Sequence, residues 1–247
     1  MAYPAQVTKK EVSPTLKVGG NCAIVVGILG ALFSLNYLLL PPEQRIGANP
    51  ADLLPSFDRD PTLLRLEMIE MALAGVCGMG LAPAVSEMLE ALKKGGARWT
   101  GTLATFSYGV MAVSNLLMMQ RLPGVASAYV HGDASTKAAL AATWNGSIDP
   151  DGWMQYGCVG LWMLVVNTAA SQSEELPKPL AYLGMALGVL YCLKPISATA
   201  QMPELMTPMM GLGAILAPLW YLWMGFQMRS KAEERTAPPP QGNWPRA

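Results

Sequence analysis

Six apolar stretches alternate with polar segments along the chain, over about residues 20–40, 64–92, 99–120, 153–172, 179–198 and 207–228. Each suits a helix crossing about 30 Å of hydrocarbon, which takes roughly 20 residues. The second carries Glu67, Glu70, Glu87 and Glu90 towards its ends but no charge from Met71 to Val85, so it reads as a span with charged ends. The pattern predicts an all-α integral membrane six-helix bundle over 20–228, preceded by a tail (1–19) and followed by a proline-rich tail (229–247). Lys9, Lys10 and Lys17 precede the first stretch as they would a signal peptide. Its apolar run, however, is longer than a signal core and ends in Leu38-Leu39-Leu40-Pro41-Pro42 with no small-residue cleavage site. It therefore reads as a retained helix.

The segments 41–63 and 121–152 are the long connections, acidic and rich in Pro, Gly, Asn and Asp, which mark turns. Inside the second, Thr136 to Trp144 predicts a short amphipathic helix, and Asn145-Gly146-Ser147 matches a glycosylation sequon that also arises by chance. Six crossings put both termini on one side. That side holds eleven basic residues (Lys9, Lys10, Lys17, Lys93, Lys94, Arg98, Lys178, Arg229, Lys231, Arg235, Arg246) against six on the other (Arg45, Arg59, Arg65, Arg121, Lys137, Lys194). Positive charge is retained on the cytoplasmic face, so a cell inner membrane protein with cytoplasmic termini is expected.

Composition narrows the class. Of 247 residues, 52% are hydrophobic and 14% charged, against about 25% charged in soluble domains. The balance of 17 basic and 17 acidic residues leaves no basic footprint for nucleic acid. One histidine and four cysteines without a CxxC exclude a zinc ribbon or multi-histidine centre. No phosphate-binding loop, dinucleotide fingerprint, nucleophile elbow or zincin helix is present, so no enzyme is expected and no cofactor is identified.

Lipid supplies no hydrophobic drive between spans, so small residues four apart predict close helix contacts: Gly27 and Ala31, then Ala74, Gly78 and Ala82, then Gly184 and Gly188. The 17 methionines suit gap filling between them. Trp153, Trp162, Trp220, Trp223, Tyr37, Tyr156 and Tyr221 read as interfacial belts. Pro83, Pro208 and Pro218 should kink their helices.

Ionisable residues within spans are costly and mark candidate sites. By depth, Arg65, Glu67, Glu70, Asn115, Gln155 and Lys194 share the outer third of the bundle and form a candidate polar pocket for a small polar ligand, an ion or a proton. Interfacial anchoring accounts for most of them, because charge is cheapest at span ends. Glu70 lies deepest; without a cation it would be a proton-relay candidate, whereas a pairing with Lys194 would be structural. Cys158 and Cys192, each 17 residues from Glu175, should share one depth, where a disulfide is an option beside free buried thiols. His131 is the sole candidate ligand for a haem or chlorophyll-type pigment, but an exposed loop residue is the plainer reading. Glu90 with Lys93 and Lys94 reads as a helix-end salt-bridge arrangement.

Asp60-Pro61-Thr62-Leu63-Leu64-Arg65-Leu66 opening the second span, the Met88 to Lys94 exit, and Tyr156 to Ala170 followed by Leu176-Pro177-Lys178-Pro179-Leu180-Ala181-Tyr182-Leu183-Gly184 carry a resemblance. Over spans two to five the chain resembles a family of bacterial six-span membrane proteins known only as a domain of unknown function. The resemblance implies a six-helix fold and no catalytic residues. The expected function is a structural or accessory subunit of a larger membrane complex, respiratory or photosynthetic, touching lipid and other membrane subunits. The alternative is a small transporter or sensor using the outer polar pocket. Few midplane charges and no inverted repeat favour the first.

Overall fold

The structure, a computed structural model, describes residues 14–45, 47–89, 97–144 and 147–234. The terminal tails outside that range, the Glu90, Lys93 and Lys94 arrangement, and Asn145 of the sequon lie outside the described residues. The described chain is helical, with no strand: α1 (Pro14–Leu39), α2 (Pro50–Arg59), α3 (Thr62–Met88), α4 (Ala97–His131), α5 (Ala134–Thr143), α6 (Val159–Ser171), α7 (Lys178–Thr199) and α8 (Pro203–Glu234). A π-helical turn, Trp153–Cys158, runs directly into α6. Among the described residues five helices, α1, α3, α4, α7 and α8, are long and apolar enough to cross a membrane. The stretch expected as the fourth span is divided between the π turn and the thirteen-residue α6.

Neighbouring long helices run antiparallel, as side-chain and backbone contacts show. Gly19 of α1 meets Ala84 of α3, while Asn36 near the other end of α1 meets Glu70. Gly75 and Gly78 of α3 back onto Ala112 and Tyr108 of α4. Gly20 and Ser34 of α1 meet Gly225 and Ala214 of α8, and Lys231 of α8 bonds Glu175 just ahead of α7. Contacts close a ring in the order α1, α3, α4, α6, α7, α8 and back to α1, with α1 making the most extensive seams, to α3 and α8. The main core fills this ring with Leu81, Met88, Trp162, Trp220 and Met224, all fully buried.

The small-residue stripes do much of the joining. Gly27 lies against Leu222, Gly78 against the Tyr108 ring, Gly184 against Asn167, and Gly188 against the Gly160 carbonyl. Ala31 instead faces outward. A further close backbone approach pairs two glycines outside the expected stripes: a Cβ on Gly20 would stand 3.0 Å from the Gly225 carbonyl, and one on Gly225 would stand 2.8 Å from the Gly20 carbonyl.

The two long connections are more helical than their turn residues suggest. Asn49 caps α2, its side chain accepting from Ala51 N at 2.9 Å, with Pro50 at the first helical position. Leu53, Leu54 and Phe57 then bury one face of α2. Their partner is an extension of α4: Leu122, Val125, Ala126 and Tyr129 recur at helical spacing, and Leu122 and Ala126 are fully buried in this second core. This contact carries α4 eleven residues past the expected end at 120, so His131 closes a helix rather than sitting in a loop, its Nδ1 2.9 Å from Ser127 O. α5 falls close to the expected short helix, with Asp133 as its cap. At the other end of the chain α8 continues to Glu234, beyond 228.

Candidate functional site

A cavity of about 130 Å³ opens inside the ring, towards the end that bears the long connections. Its walls come from α1, α3, α4, the π turn, α7 and α8, and are methionine, small residues and five aromatic rings: Phe33, Tyr108, Tyr156, Tyr191 and Tyr221. The cavity exists because α8 is thin here. Gly213 lines it, and a Cβ on Gly213 would meet nothing within 4 Å.

Its polar groups are nearly all spoken for. The hydroxyls of Tyr108 and Tyr221 hydrogen-bond one another at 2.7 Å. Pro218 has no N–H, which frees the carbonyl of Ala214 four residues back. The Ser34 hydroxyl of α1 reaches that carbonyl at 3.1 Å while lying 2.8 Å from its own Gly30 carbonyl, so its single proton is divided between two acceptors. A neighbouring hydroxyl is a usual way to satisfy backbone released by proline inside a bilayer. Lys194 is different. Its ammonium sits over the Tyr156 ring, 3.1 Å from the centroid, and Tyr156 is in turn held edge-on by Tyr191 at 5.6 Å. No described carboxylate lies within ion-pair distance of Lys194, which is the one charged residue among the described residues lining the cavity.

The six residues grouped by depth fall into separate places. Glu67 and Glu70, 6% and 5% exposed, lie side by side on α3, one turn from Met71 and Ala74 of the cavity wall. Asn36 of α1 donates to Glu70 Oε1 at 2.7 Å, while Glu67 Oε1 and Glu70 Oε2 are buried with no hydrogen-bond partner. Glu70 is thus held by an amide and not by Lys194. Arg65 is exposed, its guanidinium 5.6 Å from the centre of the Phe57 ring. Asn115 donates back to the Met111 carbonyl at 2.8 Å. Gln155 belongs to the connection before α6: its backbone N–H donates to Asp149 Oδ2 at 2.8 Å and its amide to Ser147 Oγ at 3.2 Å, with Ser147 bonded to Ser114 of α4. Cys158 and Cys192 are free thiols; Cys192 Sγ lies 3.8 Å from the Gly157 carbonyl, pressed against Gly160. No group of three or more His, Cys, Asp or Glu among the described residues is arranged to hold a metal.

Besides Tyr156 of the cavity wall, the belt reading fails for three aromatics. Trp162 and Trp220 are fully buried and Tyr221 is 4% exposed, stacked edge to face in the bundle centre, whereas Trp153 and Trp223 face outward. The indole of Trp220 donates to Asn167 Oδ1 at 3.2 Å, and Asn167 donates to Met163 O at 2.8 Å. Asn167, the most deeply buried amide, fits only because it lies against Gly184. One sequence signal for this core is that Trp220, Met224 and Met228 recur every four residues, the mark of one buried helix face.

A family model described as a domain of unknown function (DUF4386) matches residues 22–226, in agreement with the resemblance to an uncharacterised membrane family. No curated protein and no solved structure matches the chain.

Proposed function

The chain belongs to the DUF4386 family, and we propose that it is a non-catalytic, six-crossing membrane protein of the transporter or sensor kind whose ligand occupies the cavity beneath Lys194. The observation that carries this reading is the cavity itself, about 130 Å³ of space walled by helices from both sides of the ring. Interiors are close-packed, and a void forfeits the contacts of its lining. A hollow beside two buried carboxyls without full hydrogen bonding is a costly place that serves binding better than stability.

The sixth crossing is α6 together with its π turn. Six and thirteen residues make one helical run of about 28 Å at 1.5 Å per residue. Direction supports it: α4 and α7 run the same way, so a return between them across the bundle fits the chain order. An inner membrane location with both termini in the cytoplasm follows from the excess of Lys and Arg on the short-turn face.

Thermal unfolding of the full chain in lipid nanodiscs, screened against small apolar and amphiphilic solutes, tests the reading beside a Gly213→Leu variant that fills the hollow. Stabilisation of the parent by a solute class that leaves the variant unmoved is expected. Identical responses of the two proteins, combined with stable copurification of other membrane subunits, would replace this reading with that of an accessory subunit.

A further inference from the structure

We propose that the cavity takes a small organic monoanion, a carboxylate carrying one aromatic ring or a short branched chain, with Lys194 as its counter-ion. This rests on the cavity being the ligand site. Size gives the first constraint: the hollow approaches the roughly 150 Å³ apolar cavity known to admit benzene, so one aromatic ring or a short branched chain matches its volume. The walls give the second, since aromatic edges and thioethers surround the space and suit an apolar body with polarizable contacts.

Charge gives the third. The hydroxyls of Ser34, Tyr108 and Tyr221 already have partners. The Lys194 ammonium has three N–H donors and only the face of Tyr156 beneath it. A cation in the membrane-spanning region is expensive unless an anion meets it. The nearby acids do not serve: Glu70 is bonded to Asn36, and neither Glu67 nor Glu70 lines the space. The lining therefore has a single positive charge over an apolar floor, which complements an anionic head on a compact apolar body and disfavours amines and zwitterions.

The test measures equilibrium binding to the purified full chain in phosphatidylcholine nanodiscs at pH 7, with benzoate, 3-methylbutanoate, benzyl alcohol and benzylamine as probes. Benzoate or 3-methylbutanoate should bind saturably, at least tenfold more tightly than benzyl alcohol, with benzylamine weakest. Lys194→Met should lower carboxylate affinity to that of the alcohol without changing alcohol binding, and Lys194→Arg should restore it. Gly213→Leu should abolish all of these. Equal binding of carboxylate and alcohol by the parent, removed by Gly213→Leu, would overturn the anion inference and leave the cavity reading standing. Absence of any binding would overturn both. Competition by phosphatidylglycerol at the same site, with no saturable carboxylate binding, would reassign Lys194 to a lipid headgroup and overturn the inference.

Discussion

The two ends of the bundle use the same residue in opposite ways. Towards the short turns, Gly20 and Gly225 let α1 and α8 meet backbone to backbone, with Met88, Met224 and Met228 fully buried nearby. Towards the long connections, Gly213 on the same helix α8 faces open space. Glycine in these helices thus marks either a close contact or a gap, and what decides is whether a partner backbone arrives. At Gly225 it does. At Gly213 none does, although the carbonyl of the next residue, Ala214, is reached from α1 by the Ser34 hydroxyl.

The sharpest way to break this contrast is to place one side chain at both ends. Gly225→Leu forces α1 and α8 apart, and is expected to cost about 3 kcal/mol or more, or to prevent accumulation of folded protein. Gly213→Leu on the same helix should stay within about 0.5 kcal/mol of the parent. Reversible unfolding in mixed micelles measures both, and equal losses would show that the two ends are packed alike.

Next in size is the acid pair. Glu67 Oε1 is buried without a partner, and removing an unsatisfied polar group relieves a desolvation penalty, so Glu67→Leu should raise stability by about 1 kcal/mol. A loss instead would mean that Glu67 is satisfied by something bound in the native membrane. Smaller still, Ser34→Ala leaves the Ala214 carbonyl without its hydroxyl and should lower stability by about 0.6 kcal/mol, the usual worth of such a bond between membrane helices. A Ser34→Ala protein as stable as the parent would assign the proton to Gly30 and leave α8 untied.

The smallest effect lies outside the bundle. The Thr136 N–H donates to Asp133 at the start of α5 at 2.8 Å and holds its carboxyl down at about 2, from an ordinary 3.8. A depressed carboxyl stabilises above its unfolded value and loses that contribution as pH falls through the folded one. Protection of the Thr136 amide relative to its intrinsic exchange rate should therefore fall between pH 4 and pH 2, and in Asp133→Ala it should be low at both. The bundle below α5 should be unchanged, and a coupled response there would tie this cap to the hollow end.

Much of the fold was legible because a bilayer imposes a blunt rule: the apolar runs expected from about 20, 64, 99, 179 and 207 correspond to the long helices α1, α3, α4, α7 and α8. The extension of α4 was missed because Arg121, Pro123 and Gly124 look like a loop, and only the face of α2 it covers makes helix worthwhile there. Depth along the chain identified Glu67, Glu70 and Lys194 as unusual, but depth carries no azimuth. The residues therefore separated once the helices were rotated into place, Glu70 towards Asn36 and Lys194 towards Tyr156. The tyrosines of the cavity escaped notice for the same reason: Tyr221, four residues beyond Ala217, reads as a belt residue until Tyr108 arrives opposite it.

The π turn at Trp153–Cys158 makes spacing a part of the site. Gly157 N–H reaches back five residues to the Gly152 carbonyl, beyond the four of an α-helix. Such a turn is equivalent to one residue inserted into a regular helix, so Tyr156 is aimed by an additional link in the chain as much as by its own identity. Removing Gly157 or Cys158, between Tyr156 and α6, would turn what precedes it by about 100° about the helix axis. That would carry Tyr156 away from the ammonium it supports while leaving every other lining residue in place. The length of this segment is thus as much a determinant of the site as the side chains that line it.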